Sequence, residues 1–392
     1  MTETSARARL IPMRARDPQE PGRVASSLEL FFDLVFVVAV SITAAEFHHS
    51  LSDGDVGYAL THYLLLFFAI WWAWMNFTWF ATSFATDDWL YRVLTILQMA
   101  GVLILAAGVQ PAFEHSDFTI TVVGYVVMRV AMIAQWLRAA RSAGPRRRTT
   151  VVYALGIAIV QVFWIAFLAL PEDLAVPAFV VLALAEIAVP VVAERQGRTP
   201  WHTHHITERY GLFTLILLGE SLLGSANAVI EALHDAEALR PLISIAVLTL
   251  VVTAAMWWTY FWPPHHRVIR DLSSSLRYGY LHYFVFAAAG AFSAGIEVEI
   301  EHLAGKGELG DVAASFTVTV PVAVFVLGIW FLAIRQSADR LVNTVVPVGA
   351  LLVLLDPVLP VPVTLTAVVM AVVVAVLVVR PPVPTRSPAP VG

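Results

Sequence analysis

The sequence predicts an all-α, polytopic integral membrane protein, and three observations carry that prediction. Of 392 residues, 59% are apolar and only 14% charged. The mean hydropathy is +0.76. Stretches of roughly 20 residues run almost without charge, the length a helix needs to cross a hydrocarbon core about 30 Å thick. The same composition excludes a soluble multidomain enzyme, a disordered chain and a collagen. The absence of cysteine removes thiolate catalysis, iron–sulfur clusters, cysteine zinc sites and disulfides.

Polar or Pro/Gly breaks divide the chain into twelve candidate spans, at about 28–50, 58–85, 88–112, 117–141, 149–170, 173–193, 206–233, 240–262, 274–299, 313–337, 340–355 and 359–379. Arg7, Arg9, Arg14, Arg16 and Arg23 precede the first span without an apolar core of their own. Residues 1–27 are therefore expected as a basic cytoplasmic tail, and the first span as an uncleaved anchor. Starting inside, twelve spans assign every loop to a side. Of the 24 Lys and Arg residues, all but Arg129, Arg240 and Lys306 then fall inside. Outside loops instead carry acids, among them Asp53, Asp55, Glu172, Asp173, Asp235 and Glu237. That asymmetry is the positive-inside pattern, and it puts both termini in the cytoplasm.

The second half echoes the first. Trp71-Trp72-Ala73-Trp74 recurs as Trp257-Trp258-Thr259-Tyr260, 186 residues on, and Glu29 and Glu208 open the first span of each half. The expected organisation is two parallel six-helix halves, 28–193 and 206–379, with a cytoplasmic linker over 194–205 and a Pro-rich tail over 380–392.

Ionisable residues inside apolar runs are the candidate functional groups, because a lone charge in hydrocarbon costs several kcal/mol. Glu29 and Asp33 lie four apart and share a helix face at the start of the first span. Glu29 suits a helix N-terminus, where the dipole favours carboxylates; Asp33 sits about 7 Å deeper and needs a partner, water or a proton. Glu208 and Arg209 open the seventh span, and Glu220 lies about 17 Å along it on the face of Arg209. Gly211, Gly219 and Gly224 are expected to admit a neighbouring backbone closely. Arg129 stands near the middle of the fourth span, and pairing with Glu220 or Glu186 is its natural solution.

Histidines cluster at His48-His49, at His202-Thr203-His204-His205 and at His265-His266. Each cluster could hold a metal or sense pH, but none has a specific ligand spacing, and polar helix ends are the plainer reading. No metal site and no cofactor is therefore expected. The aromatic run from Phe67 to Phe80 reads chiefly as packing, and Arg146-Arg147-Arg148 as a basic loop facing anionic lipid. Nucleotide-binding loops, zinc-protease helices and nucleophile elbows are missing, so neither an enzyme nor a nucleic-acid partner is expected.

Two strings identify a likeness. Ser27-Leu28-Glu29-Leu30-Phe31-Phe32-Asp33-Leu34-Val35-Phe36 and Glu208-Arg209-Tyr210-Gly211-Leu212-Phe213-Thr214-Leu215-Ile216-Leu217-Leu218-Gly219-Glu220-Ser221 resemble the signatures of the bacterial low temperature requirement A (LtrA) family. The resemblance covers nearly the whole chain and implies a multi-pass protein of the bacterial inner membrane, linked by name to growth in the cold. It brings no settled activity. Glu29, Asp33, Glu208, Arg209, Gly219 and Glu220 carry over only as signature positions.

The expected function is translocation of a small solute or ion, with proton coupling, and Asp33, Arg129, Glu186 and Glu220 as polar members of the path. The alternative is a non-transporting membrane factor that supports envelope function or growth at low temperature. The lipid bilayer is the expected partner, and homo-oligomerisation is compatible with either reading.

Overall fold

The structure is a computed structural model that describes residues 10–231, 236–359 and 363–383. Arg7, Arg9, Asp235, Arg386 and the tail beyond Val383 lie outside the described residues, as do the side chains of Glu172 and Glu237. Among the described residues there is no strand. The helices are α1 (Ser27–Ser52), α2 (Val56–Phe84), α3 (Trp89–Ala107), α4 (Val109–His115), α5 (Thr119–Ala140), α6 (Arg147–Phe167), α7 (Ala175–Glu194), α8 (Thr203–Glu231), α9 (Ala236–Phe261), α10 (Leu272–Leu303), α11 (Asp311–Ile329), a π turn Trp330–Ile334 with the short α12 (Arg335–Ser337), α13 (Arg340–Val353) and α14 (Thr364–Val379).

Among the described residues ten helical segments are long and apolar enough to cross a membrane, with α3–α4 and α11–α12 each counted as one. The sequence expectation was twelve. The remaining two expected segments are also helical, but α8 is not among the ten, and α14 spans only 16 residues. Several helices lie bare on their outer faces, with Val162, Phe163, Val181 and Leu184 all more than half exposed. Such an apolar surface suits lipid and not water.

The chain divides into two compact units, one comprising residues 1–47 and 57–212, the other 48–56 and 213–392. In the first, α2 is the central helix: 78% of its most apolar window is buried, against 22% for α7. Helices α3, α5, α6 and α7 pack in succession. The α3–α5 crossing depends on Gly124, where a Cβ would stand 2.3 Å from the Leu105 nitrogen and 2.5 Å from the Gly101 carbonyl. Only glycine permits that approach.

In the second unit α10 takes the central place, again 78% buried, and lies along α11. Pro321 inside α11 has no N–H to offer the Thr317 carbonyl one turn back. Gly295 of α10 packs against that carbonyl, 2.1 Å from where a Cβ would sit. Aspartates begin these helices: Asp271 forms a capping box with Ser274, Asp339 accepts from the Val342 N–H, and Asp356 accepts from the Thr366 N–H at the start of α14.

Candidate functional site: buried carboxylates around Arg209

The first unit brings Glu29 and Asp33 of α1, Trp74 of α2, and His205 and Arg209 of α8 into one buried cluster. Its construction starts at Ser26, the N-cap in the sequence Ser26-Ser27-Leu28-Glu29. The Ser26 N–H and hydroxyl both donate to Glu29 Oε2 at 2.8 Å, and the Glu29 N–H returns to Ser26 Oγ at 3.3 Å. This reciprocal box fixes Glu29 at the helix start. Its other oxygen, Oε1, lies 3.1 Å from His205 Nε2 and 3.3 Å from Arg209 Nη1. Both approaches have ion-pair distance but lack hydrogen-bond alignment.

One turn along, Asp33 is saturated. Arg209 Nε donates to Oδ2 at 2.7 Å and Nη2 to Oδ1 at 2.5 Å, while Trp74 Nε1 donates to Oδ1 at 2.6 Å. Both charged partners are at most 1% exposed. Two parallel donors from one guanidinium make the strong, geometrically specific form of this pair. The spacing explains the register: Glu29 and Asp33 on α1, and His205 and Arg209 on α8, are each four apart and so present matched faces. An aromatic wall seals the group, with Trp74 edge-on to Tyr210 at 4.9 Å and Trp79 Nε1 donating to the Tyr210 hydroxyl at 3.0 Å. Glu208 faces away from this pair and accepts from the Ala25 N–H at 3.2 Å.

A cavity of about 470 Å³ opens beside Glu29, lined also by Arg16, Arg23, Ser26, Tyr91 and Arg92. Arg16 donates to Glu20, which holds that carboxyl below the usual range. Two carboxylates thus share one guanidinium at the end of a polar cavity. Arg23, buried beside Glu29 in the cavity lining and 3.6 Å from Glu20, adds a second positive charge to the group.

Arg129 of α5 meets Glu186 of α7 in a second buried pair. Arg129 Nη2 donates to Glu186 Oε2 at 3.0 Å, Trp72 Nε1 donates to the same oxygen at 3.0 Å, and the Tyr125 hydroxyl donates to Oε1 at 2.9 Å. Of the two carboxylates the sequence offered Arg129, Glu186 is the one it meets. Glu220 is half-buried on the part of α8 that belongs to the second unit. Gly219 departs from its expected role, since a Cβ there would meet nothing within 4 Å. Gly224 lies instead against the Glu297 side chain.

A third pair joins Asp88, the N-cap of α3, to Arg138 of α5, which also donates to the Ile11 carbonyl at 3.0 Å. Burial would raise the Asp88 carboxyl, but Arg138 and the N–H groups of Tyr91 and Ile11 outweigh it and hold it below its ordinary value. In the second unit the buried polar groups are mostly neutral. His265 Nε2 faces the Tyr260 carbonyl at 2.7 Å, the Tyr278 hydroxyl faces its Nδ1 at 3.2 Å, and the Tyr260 hydroxyl lies 3.2 Å from His282. Desolvation pushes the His265 imidazole down to about 4.

The indoles of Trp72 and Trp74 escaped sequence reasoning as carboxylate donors, as did His205 and the Asp88–Arg138 pair. The i, i+4 spacing of His205 and Arg209, matching Glu29 and Asp33, was a usable signal. Nothing in the aromatic run distinguishes an indole N–H facing an acid from one facing a hydrocarbon chain.

The profile of the family described as Bacterial low temperature requirement A protein (LtrA) matches residues 24–379. An uncharacterized protein of Rhizobium meliloti (strain 1021) is 30% identical over 247 residues, 60% of this chain and 58% of that protein's length.

Proposed function

The chain belongs to the bacterial low temperature requirement A family, and from that premise we propose that it translocates a small solute or ion, coupled to protons, and catalyses no covalent reaction. The observation that carries this reading is the Glu29–Arg209–Asp33 arrangement beside a polar cavity. A buried guanidinium shared between two carboxylates four residues apart has two pairing states of similar character. A proton or small cation arriving at Glu29 would neutralise that carboxylate and release Arg209 towards Asp33 alone. Intramembrane ionisable groups of this kind commonly mark ion and proton pathways. Arg129, Glu186 and Glu220 are the other candidate polar members of the path. In this reading α8 and α14 also cross the bilayer, giving twelve spans in two parallel six-helix halves, with both termini on the cytoplasmic side of the bacterial inner membrane and self-association permitted.

A second reading, a non-transporting membrane factor that supports envelope function or growth at low temperature, is favoured by one specific feature. Asp33 already has three donors and is 1% exposed, as a helix-locking pair would be. The test is flux driven by pH and cation gradients in proteoliposomes, comparing wild type with Glu29→Gln and Glu220→Gln after all three are shown to fold. Flux in wild type that drops at least tenfold in Glu29→Gln supports translocation. Well-folded wild type that is silent for protons, Na⁺, K⁺ and a panel of small organic solutes supports the membrane-factor reading.

A further inference from the structure

The second unit holds a cluster that neither reading uses. His48 and His49 lie about one turn before the end of α1, and Glu297 and Glu301 lie one turn apart near the end of α10. The three residues His48, His49 and Glu301 place one potential ligand atom each within 4.8 Å of the others. His48 Nε2 is 3.0 Å from Glu301 Oε2, and His48 Nδ1 is 3.3 Å from Glu297 Oε2. His48 is only 6% exposed, yet neither of its ring nitrogens makes an aligned hydrogen bond among the described residues. A buried imidazole with a carboxylate at ion-pair distance from each ring nitrogen, neither contact aligned as a hydrogen bond, has the geometry of a metal ligand backed by an acid.

We propose that His48, His49 and Glu301 bind a divalent first-row transition metal, with Zn²⁺ as the reference ion. Imidazole nitrogens and carboxylate oxygens suit such an ion, and three protein ligands leave a fourth position for water or substrate. Ligand atoms bound at about 2.0–2.1 Å in a tetrahedron stand about 3.3 Å apart, close to the 3.0 Å between His48 Nε2 and Glu301. Glu297 takes the complementary part. Metal-binding histidines usually give their second ring nitrogen to a carboxylate, which fixes the tautomer and the ring orientation, and Glu297 stands at that nitrogen. The Ser52 hydroxyl donates to Glu301 Oε2 at 2.8 Å and orients the carboxylate. Gly224 makes room for Glu297, because a Cβ there would fall 2.6 Å from its Oε1. Two carboxylates and two neutral imidazoles match a dication in charge.

The test is Zn²⁺ titration by calorimetry into the full chain, purified in detergent and stripped by chelator, with His49→Ala, Glu301→Gln and Glu297→Gln alongside. His49 is exposed, so its replacement leaves packing intact. Wild type should bind about one Zn²⁺ per chain in the micromolar range or tighter, with loss of at least tenfold in His49→Ala and Glu301→Gln, and weakening of about 10–100-fold in Glu297→Gln. Exposed His115→Ala should match wild type. Cobalt loaded into wild type should give intense visible bands of a four-coordinate ion, a readout that needs no variant. Binding that is undetectable, or equal in wild type, His49→Ala and Glu301→Gln, would overturn the assignment, as would a cobalt spectrum of the hexa-aquo ion alone.

Discussion

The two units handle buried polarity in opposite ways. The first buries four arginines, Arg23, Arg129, Arg138 and Arg209, and the last three face carboxylates at Glu186, Asp88 and the Glu29/Asp33 pair. In the second, Arg240, Arg267, Arg270, Arg277, Arg335, Arg340 and Arg380 are all exposed, and, apart from Glu299 and Asp356, the buried polar groups among the described residues are His, Tyr, Ser and Thr. The repeated aromatic string tells the same story. Trp71, Trp72 and Trp74 are at most 1% exposed, whereas Trp257 and Trp258 are about two-fifths exposed. The same residue pattern is thus used to cap acids in one unit and to face outward in the other. Neutral polar groups can be satisfied by backbone and hydroxyls alone, while a buried charge demands a partner placed to within a helical turn. That demand makes the first unit the place where position is most tightly specified.

The largest effect expected from this contrast is at Arg209. Replacing it by Ala strands Glu29 and Asp33 and should cost about 3–5 kcal/mol in thermal or denaturant unfolding in detergent, while a matched change in the second unit, His282→Ala, should cost about 1–3 kcal/mol. Equal losses would erase the distinction between the units. Arg129→Ala should cost nearly as much as Arg209→Ala, and adding Glu186→Gln should recover part of the loss. Adding Glu220→Gln should instead be additive within about 0.5 kcal/mol, so rescue by that change would mean the wrong carboxylate has been assigned.

The pH dependence of the second unit should fall on His265. Its folded value of about 4 lies below the unfolded value of about 6.5, so the unfolded chain binds more protons between the two. Its contribution is therefore complete above about pH 6.5 and is lost as pH falls towards 4, by up to about 3 kcal/mol. Unfolding midpoints across that window should flatten in His265→Gln, and an unchanged slope would assign the titration elsewhere. The smallest effect should come from Gly219→Ala, which meets open space and gains up to about 1 kcal/mol of helix propensity. Gly124→Ala, forced against backbone, should by contrast be strongly destabilising, and similar melting temperatures for the two would undo the packing argument.

Hydropathy made the helices legible, because hydrocarbon length dictates apolar runs directly. It also singled out Asp33, Arg129, Glu186 and Glu220, since a charge in such a run stands out. The pairings were only half visible. Arg129 came with two possible partners, and the choice of Glu186 depends on how α5 and α7 pack. Arg209 was legible as a signature residue and Glu29 as a helix start, but their meeting required knowing that α1 and α8 turn their i, i+4 faces together. Gly219 misled because a small residue in a span can mark a crossing or merely an open face, and sequence does not distinguish them. His48, His205 and His265 read from sequence as helix-end polar residues, yet all three are buried, His48 and His205 against acids from distant parts of the chain and His265 against the nearby Tyr260 and Tyr278.

The most direct test of the central claim is flux through the double variant Asp33→Asn/Arg209→Gln, which neutralises both charges while keeping amide hydrogen-bonding capacity. The translocation account predicts a folded protein whose gradient-driven flux falls at least tenfold below wild type in the same proteoliposomes. A folded double variant with wild-type flux would contradict it and leave the buried pair as a lock between helices.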